Sequence, residues 1–207
     1  MRQILSIIVF LGVFTICSQA QIQRFAGPKF GVTLVQAGSL ASILREDVGM
    51  FTDEVGRKWT GSTGKYGSFM SQYGWQWESR FSDGGNITGI VEWIALVGGM
   101  EKGMFLPSIS SMVGLRSDKG LEFAIGPNLS LGGLAMEIGM GYNFQFGKLN
   151  VPINILYVPS FDKTYYHDAE YIWDDEYDEE KEISSDYSVT HPTGARVSIM
   201  VGFNMSK

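Results

Sequence analysis

The feature that most constrains this chain is an alternation of apolar and polar residues with a period of two, longest in residues 134–146, LAMEIGMGYNFQF. The apolar set there is Leu134, Met136, Ile138, Met140, Tyr142, Phe144 and Phe146, and the small or polar set is Ala135, Glu137, Gly139, Gly141, Asn143 and Gln145. Because successive side chains of a strand point to opposite faces, the pattern predicts a strand between two different environments. The final stretch alternates in the same way, with an apolar face of Ala195, Val197, Ile199, Val201, Phe203 and Met205.

Eight segments of this kind follow one another, and the connections between them form a second pattern. Turn signals such as SDGGN, RSDKG and GKLN make the links between strands 2 and 3, 4 and 5, and 6 and 7 short. The links 1–2 and 7–8 are long, and the links 3–4 and 5–6 are modest. Short turns at one end, long loops at the other and an even strand number are typical of outer-membrane barrels. The sequence therefore predicts an all-β fold, an eight-stranded antiparallel up-and-down transmembrane β-barrel with two long loops.

The first 20 residues, MRQILSIIVFLGVFTICSQA, place one cation, Arg2, before an apolar run that ends in small residues. This order is typical of a cleaved secretory signal peptide. We therefore expect residues 1–20 to be a signal peptide and residues 21–207 to be the outer-membrane barrel domain. The one cysteine, Cys17, lies in the signal segment, so no disulfide is expected after cleavage. The formal net charge of −6 argues against nucleic acid as a partner.

The two faces of the predicted strands differ in charge as well as in hydrophobicity. The apolar face carries large side chains and no charge across the eight strands, which suits contact with lipid. The opposite face carries glutamates and arginines beside glycines, and it fits a narrow, polar lumen. The predicted ion network of this lumen consists of Glu78, Arg80, Glu92, Glu122, Glu137 and Arg196, with no lysine. A structural ion network is favoured over a gated pore or proton path. A soluble, lipocalin-like periplasmic carrier stays open as an alternative to the membrane barrel.

The signal peptide, the eight alternating strands and the closing VGFN make the chain resemble the small outer-membrane β-barrel proteins of Bacteroidota. In architecture it is similar to barrels of the OmpX, OmpA-transmembrane and PorT-like types. The chain departs from the enterobacterial pattern, because it ends in Met205, Ser206 and Lys207 and not in an aromatic residue. The resemblance implies an outer-membrane location, contact with outer-membrane lipid, and the outer-membrane insertion machinery as a partner during biogenesis. It implies no particular activity.

The last long connection, residues 162–187, holds eleven of the chain's 22 acidic residues together with five tyrosines and Trp173. Its most acidic part is predicted to be a solvated surface loop and contains Asp174, Asp175, Glu176, Asp178, Glu179 and Glu180. Such a loop could contact a surface protein or a glycan, with the aromatic rings supplying contact area. The spacing does not match a calcium-binding EF-hand, and no metal site is expected.

The sequence offers few candidates for catalytic residues. Both histidines, His167 and His191, lie between the last two predicted strands, near three serines, but no spacing singles out a nucleophile. We expect no catalytic residue and no cofactor, and a structural, adhesive or complex-forming role. A rim-sited lipid A or protein hydrolase is the alternative. In the first long connection, Leu40, Ile43, Leu44, Val48 and Phe51 have helical spacing, which predicts a short interfacial helix, a plug or a packed loop element.

Overall fold

A computed structural model of the protein describes residues 24–45, 65–174 and 179–206, and the expected signal peptide lies outside these ranges. The strands of the main sheet are β1 (Arg24–Val35), β2 (Ser68–Asp83), β3 (Ile87–Gly98), β4 (Leu106–Ser117), β5 (Leu121–Ser130), β6 (Gly133–Phe146), β7 (Leu149–Val158), β12 (Arg196–Gly202) and β13 (Asn204–Ser206). Between β7 and β12 lie β8 (Asp162–His167), β9 (Glu170–Asp174), β10 (Glu179–Ser184) and β11 (Tyr187–Pro192). The helices are α1 (Ser39–Leu44) and a 3₁₀ helix (Met100–Lys102). Within the described ranges, no helix is long and apolar enough to cross a membrane.

The main sheet closes on itself. Strands β1 to β7 pair with their neighbours in chain order, and β12 and β13 each pair with both β7 and β1. These last two strands are parts of one strand interrupted at Phe203, whose backbone N–H donates to the carbonyl of Pro28 at 2.9 Å. The result is a closed barrel of eight antiparallel strands, which confirms the predicted all-β, eight-stranded antiparallel architecture. Closure gives every strand two neighbours and removes free sheet edges.

The two ends of the barrel differ in their connections. The turn end holds the start of β1, the end of β13 and the tight turns at residues 84–86, 118–120 and 147–148. The loop end holds residues 36–45 and 65–67, the link 99–105 and the described part of the segment between β7 and β12. Val48 and Phe51, which belong to the predicted helical set of the first connection, lie outside the described residues. The link between β5 and β6, predicted to be of modest length, is a two-residue turn at the loop end. Gly147 takes a φ of 61°, which is the left-handed conformation that a tight hairpin turn requires.

The described parts of the acidic connection, which was predicted to be a solvated surface loop, form a hairpin of two paired ladders. Strand β8 pairs with β11 from Asp162↔Pro192 to His167↔Tyr187, and β9 pairs with β10. The threonine, tyrosine and valine residues of these segments favour strands, a signal that the many acidic residues obscured. Neither ladder joins the barrel sheet. The hairpin is therefore an appendage of the loop end and not a part of the barrel wall.

The outer surface of the barrel is an apolar belt. Large side chains on outward positions of six different strands keep 40–57% of their surface exposed, among them Phe30, Trp75, Trp93, Phe123, Met140 and Ile199. Between the two rims, the outward positions of the eight described strands carry no charged residue. Ala195, predicted to lie on this face, is buried at the loop end, where its carbonyl accepts the N–H of Gln36 at 2.8 Å. Apart from Ala195, the apolar face read from the sequence is the outer face of the barrel.

Candidate functional site: the lumen and its two ends

The lumen near the turn end is built around Arg116, which projects inward from the end of β4 and is 5% exposed. Its two terminal nitrogens donate to the two carboxylate oxygens of Glu78, at 2.5 and 2.6 Å. Its Nε donates to Glu122 on the adjacent strand. Such a bidentate pair fixes the planar guanidinium in one orientation. One cation therefore joins strands β2, β4 and β5 across the interior.

The hydrogen bonds continue from Glu122 toward the centre of the barrel. The amide of Asn154 donates to Glu122 at 3.0 Å and accepts from the ammonium of Lys29 at 3.0 Å. Lys29 also donates to Gln76 at 2.8 Å, and the amide of Gln76 donates to Glu92 at 2.5 Å. All five side chains are buried. The chain of polar contacts thus reaches from the turn end to the middle of the lumen, with each charge held by a partner, as burial in a water-poor interior requires.

An apolar layer fills the lumen around and beyond this chain. It consists of Ile94, Leu96, Met112, Ala124, Leu156 and Met200. Gly139 on β6 makes room for it, because a Cβ on this residue would lie 2.8 Å from Cδ2 of Leu156. An eight-stranded barrel has an interior just wide enough for side chains. Here those side chains occupy it.

A second polar cluster lies on the loop-end side of the apolar layer. Arg196 donates to the hydroxyl of Ser130 at 2.9 Å and to the amide oxygen of Asn128 at 3.1 Å. Asn128 in turn donates to Ser110 at 2.9 Å, and the buried carboxylate of Glu137 is surrounded by Ser110, Asn128 and Arg196. The polar residues are therefore grouped into two levels, one on each side of the apolar layer.

The loop end is covered by α1. Five of its six residues are buried, and Leu40, Ala41 and Leu44 form an apolar cluster with Val35, Met70 and Leu106 of the barrel rim. The ammonium of Lys102, from the 3₁₀ helix, donates to the carbonyl of Leu44 at 3.0 Å and to the hydroxyl of Ser68 at 2.9 Å. This contact satisfies one of the carbonyls that a helix leaves free at its C-terminus. Of the alternatives that the helical spacing left open, the geometry is that of a plug.

The structure places five of the six predicted lumen residues, namely Glu78, Glu92, Glu122, Glu137 and Arg196, in the buried interior. Arg80 lies at the turn-end rim, where its side chain is 27% exposed and its Nε is 3.6 Å from Glu78. Arg196 is bound by Ser130 and Asn128, beside Glu137. The prediction that no lysine enters the lumen was wrong, because Lys29 is 1% exposed at its centre.

Two central cations were therefore missed, and the pattern could have revealed both. Lys29 falls on the same side of the alternation as the inward Gly31 and Thr33. It lies beside Pro28, however, and a proline is typical of the start of a strand and not of its interior. Arg116 falls on the same side of the alternation as Ser110 and Gly114, but it was assigned to the turn signal RSDKG. Extending each alternation by two residues places both on the polar face.

The candidate catalytic residues are not brought into one site. His191 is buried at the base of the hairpin, opposite Lys163 on β8, while His167 pairs with Tyr187 at the far end of the same ladder. Among the predicted acidic residues, Asp174 ends β9 opposite Glu179, and Glu180 follows on β10. Asp175, Glu176 and Asp178 lie outside the described residues. Within residues 24–45, 65–174 and 179–206, no group of three or more histidine, cysteine or acidic side chains could hold a metal ion.

At the turn end the lumen opens into a cavity of about 390 Å³. Its lining includes Arg80, Thr88, Arg116, Ser117, Asp118, Lys119, Gly120, Tyr142, Asn143, Phe144, Gln145 and Phe146. Strand β6 extends beyond the first residue of β5, so the cavity lies between the β4–β5 turn and the end of β6. The two ends of the lumen are thus differently closed, one by an apolar plug and the other by charged side chains beneath an open cavity.

No protein-family model matches the sequence, and no curated protein matches it significantly. The class that the fold defines is that of small, closed, antiparallel β-barrels with a filled interior. Because one fold supports many functions, what the protein does has to be argued from its faces and its ends.

Proposed function

We propose that the protein is an integral outer-membrane β-barrel without catalytic activity, with a structural, adhesive or complex-forming role, and that it displays its long connections at the cell surface. The observation that carries the proposal is the arrangement of its two faces. The outside is apolar and uncharged around all eight strands, while the charges are inside. In water this arrangement would leave a large exposed apolar surface, whereas in a bilayer it matches the solvent.

The filled interior supports the same proposal against a soluble carrier. A carrier needs a pocket in which a ligand can be buried. In this barrel Met112, Met200 and Ile94, each 0–1% exposed, occupy the centre, and Lys29 and Gln76 lie beside them. Under the proposal, the short turns and both ends of the described chain lie on the periplasmic side, and the hairpin lies outside the cell.

A charge placed on the outer face separates the membrane barrel from the carrier. Ile155 is 49% exposed in the middle of β7, where it pairs with Ile199 and Met140. For a lipid-facing position, Ile155→Lys should lower the free energy of unfolding by about 2–4 kcal/mol. The measurement is urea unfolding in phospholipid vesicles, followed by the change in gel migration between folded and boiled protein. The matched control is Tyr166→Lys, on a hairpin residue that is 81% exposed, and it should have no effect. Equal behaviour of the two variants, or a native protein that stays soluble without detergent, would contradict the membrane proposal.

Shortening the hairpin separates the scaffold from the rim-sited hydrolase. Residues 164–190 can be replaced by a four-residue Gly/Asn turn while the lower pairings Asp162↔Pro192 and Lys163↔His191 are kept. Below them, the Phe161 N–H donates to the Thr193 hydroxyl at 3.1 Å and the Thr193 N–H donates to the Phe161 carbonyl at 2.9 Å. We expect a barrel that still inserts and is still heat-modifiable, because strand pairing is completed within the barrel. Cells carrying the shortened chain should keep their lipid A profile and lose binding of surface partners. A changed lipid A profile, or the same change from His191→Ala alone, would favour the enzyme.

A further inference from the structure

We propose that the turn-end cavity binds the headgroup of an amine-bearing glycerophospholipid, with the phosphate between Arg80 and Lys119 and the lipid chains on the outer face of β6. This inference rests on the proposed membrane location. The cavity volume of about 390 Å³ accommodates a group of this size. It is lined by cations, hydroxyl groups and amides, and it is also lined by lipid-facing aromatic rings, so its occupant has to be both polar and apolar.

The charges of the lining favour a phosphate. Arg116 is bound by Glu78 and Glu122 and supplies the base of the cavity. Arg80 keeps a longer contact of 3.6 Å with Glu78 and is 27% exposed at the side chain, and Lys119 is exposed in the β4–β5 turn. Two cations that line one cavity together with the hydroxyls of Thr88 and Ser117 can donate charge-assisted hydrogen bonds to phosphate oxygens.

The acceptor groups in the lining favour an amine. Asn143 projects inward from β6 and is 7% exposed, and its amide nitrogen donates to Asn150 at 3.0 Å. Within the described part of the chain, its amide oxygen is buried and has no hydrogen-bond donor. A buried acceptor without a donor is costly, and a bound group that supplies one accounts for it. The carboxylate of Asp118 also lines the cavity, so an ammonium group would find both an acceptor and a negative charge.

The outward wall favours a lipid over a free phosphate ester. Tyr142, Phe144 and Phe146 are 42%, 42% and 65% exposed on the outer face and line the same cavity. The rings of Tyr142 and Phe144 are in contact, with centroids 4.8 Å apart. The cavity is therefore continuous with the apolar belt at the rim, where aromatic side chains meet the headgroup region of a bilayer. An acyl chain can lie along these rings while the headgroup enters between the turn and β6.

The test is a calorimetric titration of the full-length, heat-modifiable protein in neutral maltoside micelles with dihexanoyl phosphatidylethanolamine. Lys119→Gln removes one phosphate contact from an exposed turn and should weaken binding about tenfold. Lys148→Gln is the matched control, because Lys148 is an exposed lysine in another turn of the same end and does not line the cavity. It should leave the affinity unchanged.

Two further titrations decide between sources of the phosphate and of the amine. Glycerophosphoethanolamine, which has no acyl chains, should bind at least about tenfold more weakly than the lipid, because it loses the aromatic contacts. Dihexanoyl phosphatidylglycerol should bind more weakly because it lacks the ammonium. Equal affinity for the chain-free ester overturns the lipid assignment, and equal affinity for phosphatidylglycerol overturns the amine assignment. No binding by a protein that inserts into vesicles overturns the cavity proposal and leaves the membrane proposal intact, whereas failure to insert overturns both.

Discussion

The loop end and the turn end close the same lumen by opposite physical means. At the loop end, α1 buries Leu40, Ala41 and Leu44 against apolar residues of the rim, and one lysine fixes its last carbonyl. At the turn end, Arg116 joins two carboxylates, and an open, polar cavity lies above it. Burial of apolar surface is non-directional and depends little on pH or salt. A buried ion network gains little net stability but fixes one arrangement, and it is costly to break.

This difference in closure determines which end of the barrel can bind a ligand from its surroundings. The plug buries the side chains of Leu40, Ala41 and Leu44 against the rim, and these apolar groups offer a ligand no hydrogen bond. At the turn end Arg116, Glu78 and Glu122 are buried, but Arg80 is partly exposed beside an open cavity. A binding function of the barrel itself is therefore expected at the turn end, and surface contacts are expected at the hairpin of the loop end.

The largest effect is expected at the turn-end network. Arg116→Met leaves Glu78 and Glu122 buried without their cation, which should lower the free energy of unfolding by about 3–5 kcal/mol. The measurement is urea unfolding of vesicle-inserted protein, and Lys119→Met, at an exposed cation three residues away, is the control. The triple variant Arg116→Met, Glu78→Gln, Glu122→Gln should recover part of the loss, because no unpaired charge remains. A loss below about 1 kcal/mol for the single variant would mean that water reaches these carboxylates freely.

A substitution in the loop-end plug should lower the free energy of unfolding by less, and with a different dependence on salt. Leu44 is 1% exposed, and Leu44→Ala removes buried methyl groups and leaves a cavity, at a cost of about 2 kcal/mol. Because the lost contacts are apolar, the difference from the native protein should be the same at low and high salt and at pH 5 and pH 8. The difference caused by Arg116→Met should change with salt, because the contacts that it removes are ionic. If Leu44→Ala proves as salt-dependent as Arg116→Met, the contrast between the two ends is wrong.

Much of this architecture follows from whether a residue lies at an odd or an even position of its strand. The alternation assigned the outer face of all eight strands, since each side chain on one face differs in kind from its neighbours on the other. This prediction of the inner face failed near the ends of two strands. Lys29, beside Pro28, was assigned to neither face of its strand, and Arg116 was assigned to the turn signal, and so the two cations that organise the lumen were missed.

Other features depend on distances through space that no local pattern contains. The bond between Lys29 and Asn154 joins residues 125 positions apart, and Thr33 and Ser198, whose hydroxyls are 2.7 Å apart, are separated by 165 positions. Which polar residues face each other across a barrel depends on the stagger of the strands. The sequence pattern therefore predicted which side chains are inside, but it could not predict that Arg196 would bind Ser130 and Asn128 while Arg116 took two of the glutamates.

A smaller effect is expected from the lysine that holds the plug. Lys102→Met removes the two hydrogen bonds to the Leu44 carbonyl and the Ser68 hydroxyl, which should cost about 1 kcal/mol. The change should be local, so that amide exchange of α1 becomes faster while the barrel strands exchange as before. Lys65→Met, at an exposed lysine of the same end, is the control and should change neither. Faster exchange throughout the barrel would show that α1 and the barrel open as one unit.

The smallest effect is a pH dependence at the loop end. Glu101, in the 3₁₀ helix, accepts hydrogen bonds from the backbone N–H of Ser71, at 2.9 Å, and from its hydroxyl. Burial raises the pKa of Glu101, but these hydrogen bonds and the nearby charge of Lys102 lower it more, so the pKa lies below its ordinary value of 4.5. Because the pKa is lower in the folded protein, the stabilisation is present above the ordinary value and is lost as pH falls through the folded value. The carboxylate is largely exposed, so the contribution should stay below about 1 kcal/mol.

Amide exchange of the 3₁₀ helix, measured from pH 6 to pH 3 and corrected for the intrinsic exchange rate, should lose protection at the acid end of the range. Glu101→Gln should show the reduced protection already at pH 6 and no further loss on acidification. A native protein whose protection does not change with pH would mean that this carboxylate does not hold the 3₁₀ helix to β2.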